Sequence, residues 1–340
     1  MTAARSPKRA PQDPAGTALE RLVDRYDPTV FDVGRPQVRI RVEDGTGPHD
    51  VLLKDGTARL EDSHGSPDAV LSADAGTWEE IAENVRGGME AFRRDRLSIR
   101  RDLHLGVGFL AATALSQGPG RLRLRHVETE AGKISTIEAG TGDPVVLIHG
   151  LGATKASFLP TIDALAPSHR TIAVDLPGFG DSDKPLWGAY DAPFFASSIV
   201  ALLDALELES ADMVGNSMGG RVALELGLEH PDRTRRLVLL APSLPWLKSR
   251  PWAPYLRLIP TQLGIFQPTP RALVEMIVKQ FVPGSDTEWT AAGIDEFMRS
   301  YMTPLGRAAF YAAARNIDLE EPRGPDGLWT RLAALKPESL

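Results

Sequence analysis

At 340 residues the chain exceeds the usual size of a single core, so two domains are expected. Hydrophobic residues at 42% and charged residues at 24% are ordinary for a globular protein, and a net charge of -7 with no clustered basic face argues against non-specific nucleic-acid binding. Zero cysteines exclude disulfides, thiolate metal sites and cysteine nucleophiles, so covalent chemistry must come from another side chain.

Residues 1–20 are expected to form a disordered tail, since Met1 to Thr17 is basic, proline-containing and poor in apolar residues. The tail lacks the uninterrupted hydrophobic run of a signal peptide, which points to a cytoplasmic protein. No stretch approaches the roughly 18 to 20 apolar residues that cross a bilayer. Residues 21–117 read as a small α+β domain. Val38, Ile40 and Val42 alternate with Arg39 and Arg41, the period of a half-buried strand. Val51 to Leu53 and Thr57 to Leu60 flank Asp55-Gly56 and predict a hairpin. Trp78, Ile81, Val85, Met89 and Phe92 share one helical face, which Gly87-Gly88 breaks or kinks. A strand at Leu97 to Ile99 and a helix over Leu103 to Leu115 close the unit.

This order, through Pro67-Asp68-Ala69-Val70-Leu71, Trp78 and Leu97-Ser98-Ile99, resembles the sterol-carrier-protein type of lipid-transfer domain over roughly Thr29 to Ala114. The resemblance implies an apolar cavity for an acyl or sterol ligand. Read from the residues alone, Trp78, Met89 and Phe92 are core.

Gln117-Gly118-Pro119-Gly120 breaks the chain, and residues 121–340 form the second domain. Two antiparallel strands, Arg121 to Glu128 and Lys133 to Glu138, precede a doubly buried strand at Pro144 to Ile148. Helix from Ala156, strand Thr171 to Val174, helix Phe195 to Leu206, strand Ala211 to Val214, helix from Gly219 and strand Leu237 to Leu240 follow. The alternation predicts a doubly wound, mostly parallel sheet. Residues 243–327 read as a helical cap, with Leu273, Met276, Ile277 and Phe281 on a helical face and Trp246, Trp252, Tyr255 and Phe266 nearby. Such a cap suits a hydrophobic substrate, and it suits simple packing onto the core equally well.

The sequence Gly215-Asn216-Ser217-Met218-Gly219 runs from a predicted strand into a predicted helix. A tight strand-to-helix turn needs glycines two residues either side of a strained serine, which makes Ser217 the candidate nucleophile. Its attack on a carbonyl creates an oxyanion, for which two main-chain N–H groups are expected, those of Met218 and of Leu151 in His149-Gly150-Leu151-Gly152. His149 is expected to order that loop rather than to catalyse. No cofactor or metal is expected, and the expected partner is a small hydrophobic acyl substrate.

Together with Asp175-Leu176-Pro177-Gly178-Phe179-Gly180-Asp181-Ser182, these two segments resemble the α/β-hydrolase superfamily over Arg121 to Leu340. Gly-Asn-Ser-Met-Gly-Gly also resembles the elbow of hydrolases that cleave carbon-carbon bonds in ring-cleavage products, whose oxyanion loop usually differs from Leu151-Gly152-Ala153-Thr154. Serine at the elbow sets the chain apart from epoxide hydrolases and haloalkane dehalogenases, which use aspartate there. Esters, thioesters or related acyl compounds fit better.

The resemblance implies an acid and a histidine after the nucleophile. After Ser217 the sequence holds only His230, at the far end of the elbow helix, about 20 Å away at 1.5 Å per residue. Ala241 to Leu244 offers no carboxylate, and Asp286, Asp295, Asp318 and Asp326 read as solvated surface charge. Lys336 to Leu340 reads as the start of an absent strand, so the C-terminus is expected to be truncated, Leu237 to Leu240 to be an exposed edge, and this chain to be inactive as it stands. A non-catalytic lipid-binding or transfer protein with a hydrolase remnant is the alternative.

Overall fold

A computed structural model describes residues 14–83, 88–116, 118–244, 263, 266, 270–272, 275–276, 287–318 and 320–340, without the side chains of 14–17 and 318. Residues 1–13 of the expected tail, Val85, Gly87, Gln117, Trp246, Trp252, Tyr255, Leu273, Ile277, Phe281 and Asp286 lie outside the described residues.

The described residues open with α1 (Pro14–Asp24), so the expected tail is helical from Pro14 onward. Ala18, Leu19 and Leu22 recur at helical spacing, and all three are buried in the adjoining core. That apolar face, masked in the sequence by charged neighbours, outweighs the polar composition. Next come β1 (Gln37–Glu43), β2 (Pro48–Lys54), β3 (Thr57–Asp62), β4 (Ala69–Ser72), α2 (Ala75–Glu83), α3 (Met89–Arg93), β5 (Ser98–Arg100) and α4 (Leu103–Ala112). The five strands pair in the order β3-β2-β1-β4-β5. Asp55 and Gly56 both take positive φ, the conformation of a tight hairpin turn, between β2 and β3. β4 has only four residues, too few to show the alternation that marks β1, and the sequence reading passed over it.

The second sheet combines β6 (Arg123–Thr129), β7 (Gly132–Ala139), β8 (Asp143–Ile148), β9 (His169–Val174), β10 (Ala211–Asn216), β11 (Thr234–Leu240) and β12 (Glu338–Ser339). Its order is β12-β11-β10-β8-β9-β7-β6, and β7 alone runs against the rest. Helices α5 (Leu159–Leu165), α6 (Ala192–Ala205) and α7 (Met218–Glu229) cover it, followed by α8 (Glu288–Tyr301), α9 (Pro304–Asp318) and α10 (Leu328–Arg331). The edge differs from expectation. Glu338–Ser339 form a strand on β11, with Arg236 opposite Glu338 and Leu237 opposite Ser339. Hydrogen bonds from Leu239 N to Leu340 O and from Leu340 N to Leu237 O, both 2.9 Å, continue the pairing. The strand that Lys336 to Leu340 were read as entering is formed by these residues themselves.

Successive residues of β8 point to opposite faces, and this divides the core. Val146 and Ile148 join Ile172, Val174 and the inner faces of α6 and α7. Val145 and Leu147 join Ala173, Ile162 and the whole apolar interior of the N-terminal domain, from Val38 to Phe109. One face of the second sheet and the first domain therefore share a continuous core. Phe31 reinforces the junction by bridging to Leu124 on β6.

Candidate active site

The parallel strands β8, β9 and β10 end on one side of the sheet, and the chemistry-bearing residues collect there. Ser217 joins β10 to α7 with φ 52° and ψ -113°, a backbone conformation costly for any residue with a Cβ. The turn is as tight as its glycines permit. A Cβ at Gly219 would sit 2.1 Å from Ile148 O, and one at Gly215 would sit 2.3 Å from Gly219 O. Ser217 N donates to Leu240 O (2.9 Å), and Ser217 O accepts from Ser243 N (2.8 Å), so both neighbouring segments hold the bend. The Ser217 side chain is half-buried rather than sealed in the core, and Met218 is buried as the first residue of α7.

Leu151 lies in the loop after β8, which abuts this bend: a Cβ at Gly150 would be 3.3 Å from Ser217 Cβ. His149 orders the loop. Fully buried, its Nδ1 contacts Gly150 O at 2.8 Å while Nε2 accepts from Leu176 N at 3.0 Å, which fixes a neutral Nδ1–H tautomer. Burial also pushes its pKa below the usual histidine value. Beyond Leu151 opens an apolar cleft of about 670 Å³, bounded by Ala153, Ile294, Phe297, Tyr301 and Phe310 and reaching Leu103 of α4. Helices α8 and α9 of the expected cap thus roof the cleft, and their rings pack edge to face, as Tyr301 does on Phe310 with centroids 5.4 Å apart. Of the aromatic residues placed in the cap by sequence, Phe266 is exposed, as is Met276.

Beneath the cleft is a group of charges that the sequence reading did not single out. Lys155, 1% exposed, reaches Asp175 Oδ2 at 2.5 Å and Asp181 Oδ2 at 3.1 Å. Arg299 of α8 donates to Asp181 Oδ1 at 2.8 Å and to Glu296 Oε1 at 2.7 Å. From the N-terminal domain His104 Nδ1 lies 3.5 Å from Asp181 Oδ2, and Asp102 Oδ2 lies 3.6 Å from Arg299 Nε. Burial pushes the Lys155 ammonium down, but Asp175, Asp181 and Glu296 more than reverse this and hold it above its ordinary value. Burial likewise pushes Asp181 up, and the charges of protonated His104, Lys155 and Arg299 pull it well below the carboxylate range. For Glu296 burial wins and raises the carboxyl. His104, enclosed by Phe31 as well, is lowered by burial to about 4 and is neutral at pH 7. The motif from Asp175 to Ser182 contains two of these residues, yet nothing in the sequence pairs them with Lys155 or Arg299.

Among the described residues no histidine hydrogen-bonds Ser217. His230 caps the far end of α7, His126 contacts Asp32 at 2.9 Å, and His169 contacts Ser168 at 2.8 Å. Asp326 is exposed, as expected, but Asp295 is not. At 6% exposure it accepts from Arg100 Nε (2.8 Å) and Arg101 N (2.9 Å) and pairs with Arg271. The turn of α8 that carries it faces β5, a contact that no local pattern announces.

The α/β hydrolase fold family model matches residues 143–269, and the SCP-2 sterol transfer family model matches residues 19–111. A 2-hydroxymuconate semialdehyde hydrolase of Pseudomonas sp. (strain CF600) is 44% identical over 106 residues, 30% of this chain and 38% of that protein. A pimeloyl-[acyl-carrier protein] methyl ester esterase of Aeromonas hydrophila subsp. hydrophila is 37% identical over 121 residues, 35% of this chain and 45% of that protein. Among solved structures, a protein of Acinetobacter baumannii AYE provisionally named a lipase aligns with a TM-score of 0.50 over 64% of this chain and 72% of that one, at 18% identity, a likeness of fold alone. The chain joins an SCP-2-type domain to an α/β-hydrolase-fold region. It spans 38% and 45% of the lengths of the two curated relatives. No described helix is long and apolar enough to cross a membrane.

Proposed function

We propose that the second region is that of a serine-type hydrolase acting on an ester, thioester or related acyl compound with a hydrophobic acyl part. Ser217 is the nucleophile, and the main-chain N–H groups of Met218 and Leu151 hold the oxyanion of the tetrahedral intermediate. The observation that carries this is the backbone of Ser217, strained at φ 52° in a turn whose glycines leave no room for a Cβ. Strain of this kind persists where the surrounding structure enforces it, and here it sets a half-buried hydroxyl at the head of α7 beside the Leu151 loop. The apolar cleft past Leu151 suits the acyl part. The relatives named as an esterase and as a semialdehyde hydrolase both fit hydrolysis at a carbonyl.

Attack by Ser217 needs a base to take its proton, and no histidine of this chain contacts it among the described residues. Turnover by the chain as it stands is accordingly slight. Adding imidazole to the solution tests the assignment. It should restore hydrolysis of p-nitrophenyl esters by the chain but not by Ser217→Ala, and a fluorophosphonate should label only the chain with the serine. Equal rates in both proteins with imidazole would remove Ser217 from the chemistry. The missing base also favours a second reading, a lipid-binding protein without catalysis, which predicts saturable acyl binding with no rescue.

A further inference from the structure

Two cavities lie end to end between the N-terminal domain and the hydrolase-fold region. One is the cleft past Leu151. The other, of about 280 Å³, lies between Met89, Leu110 and Ala114 on one wall and Leu159, Ile162 and Ala166 on the other. The same two stretches of chain build both. Helix α4 gives Leu103 to the cleft and Leu110 to the second cavity, about 10 Å further along at 1.5 Å per residue. The segment from Ala153 to Ala166 does the same on the opposite side, with Ala156 and Ser157 in the cleft and Ile162 beyond. Trp289, at the start of α8, lines both cavities and packs on Phe92 with ring centroids 5.2 Å apart. It is the shared partition.

The charges around the second cavity are already engaged. Arg93 donates to Glu90 and to Asp163, each at 2.9 Å, and Arg121 donates to Asp27 at 2.9 Å and to the Ala111 and Ala112 carbonyls. A carboxylate or phosphate head group would have to break these bonds, whereas a hydrocarbon gains by covering the apolar walls. Alone, the cavity is small for a whole lipid, since ligand pockets run to about 300–1,000 Å³.

We propose that this interdomain cavity binds the distal hydrocarbon segment of a single-chain acyl ester or thioester whose carbonyl end occupies the cleft, with Trp289 at the point where the chain passes from one to the other. The substrate site is then composite, and the SCP-2-type domain supplies half of its tail chamber through α3 and α4. This rests on the reading of Ser217 for the position of the carbonyl end.

Binding is best measured on the full chain carrying Ser217→Ala, so that the result does not depend on catalysis. Methyl 12-doxylstearate, a neutral ester with a quenching label on its tail, should quench tryptophan fluorescence saturably, and Trp289→Phe should remove most of that quenching. Ala114→Phe and Ala166→Phe fill the cavity from opposite walls, so a folding failure of one leaves the other. Each should weaken binding at least tenfold, and stearate anion should bind more weakly than its methyl ester. Undiminished affinity in the filled variants, quenching that survives Trp289→Phe, or no saturable binding would overturn the proposal. Intact binding with no imidazole rescue would instead sink only the nucleophile assignment.

Discussion

Glycines bring main chain close to its neighbours in several places, and two of them differ in what they meet. In α4, Gly106 and Gly108 let the helix settle on the rest of its own domain: a Cβ would meet Ile99 Cγ2 at 2.4 Å and the Phe31 ring at 2.3 Å. At the elbow, a Cβ on Gly219 would meet main-chain oxygens, Ile148 O at 2.1 Å and His149 O at 2.6 Å. Side chains can change rotamer and packing to make room. Main-chain atoms inside a parallel sheet cannot move without breaking the ladder that holds them. Packing inside the first domain thus rests on adjustable contacts, while the geometry around Ser217 is fixed by backbone.

The charge cluster under the cleft offers the largest break. Lys155→Ala leaves Asp175 and Asp181 facing each other without their shared cation, and should cost about 3–5 kcal/mol of stability in chemical denaturation. A loss near zero would mean that water or Arg299 takes over the role of Lys155.

The glycine contrast itself can be measured. Gly219→Ala should lose upwards of about 3 kcal/mol, whereas Gly106→Ala should lose about 1–2, because overpacking is partly offset by better helix propensity. Equal losses would show that the elbow yields as readily as the packing of α4 inside the first domain.

A pH series separates the same regions. His104 of α4 is held neutral down to about 4, while an unfolded histidine titrates near its ordinary value of 6.5. Between these values the unfolded chain binds the extra proton, so stability is full above about 6.5 and falls as pH drops toward about 4, by up to about 3 kcal/mol. Asp181, Asp102, Lys155 and Arg299 face this ring. The melting temperature of the chain should fall relative to that of His104→Leu as pH drops through this window, and parallel curves would remove His104 as the cause.

The smallest effect has the opposite sign. Ser217→Gly relieves the backbone strain at φ 52° and should raise stability by about 1 kcal/mol while abolishing fluorophosphonate labelling. A stability loss would mean that the serine side chain contributes contacts outweighing its strain.

Much of the fold was legible because it rests on local repetition. Val38, Ile40 and Val42 announce β1 by alternation, and the unbroken run into Ile148 announces a strand buried on both faces. Short or composite elements were not. Four residues of β4 are too few to show a period, and α1 hides its apolar face among charges. Asp295 reads as surface charge because the partner that buries it, Arg100, is 195 residues away.

By itself the sequence determined the two sheets, the strand-to-helix bend at Ser217 and the loop at Leu151, since periodicity and glycine placement act over a few neighbouring residues. Only the tertiary structure decided that the two domains share one core, that Lys155, Asp181, Arg299 and His104 meet under the cleft, and that Trp289 divides two cavities built on the same walls. Those depend on contacts between residues tens to hundreds of positions apart, whose pairing is set by how whole elements pack and leaves no trace in local pattern.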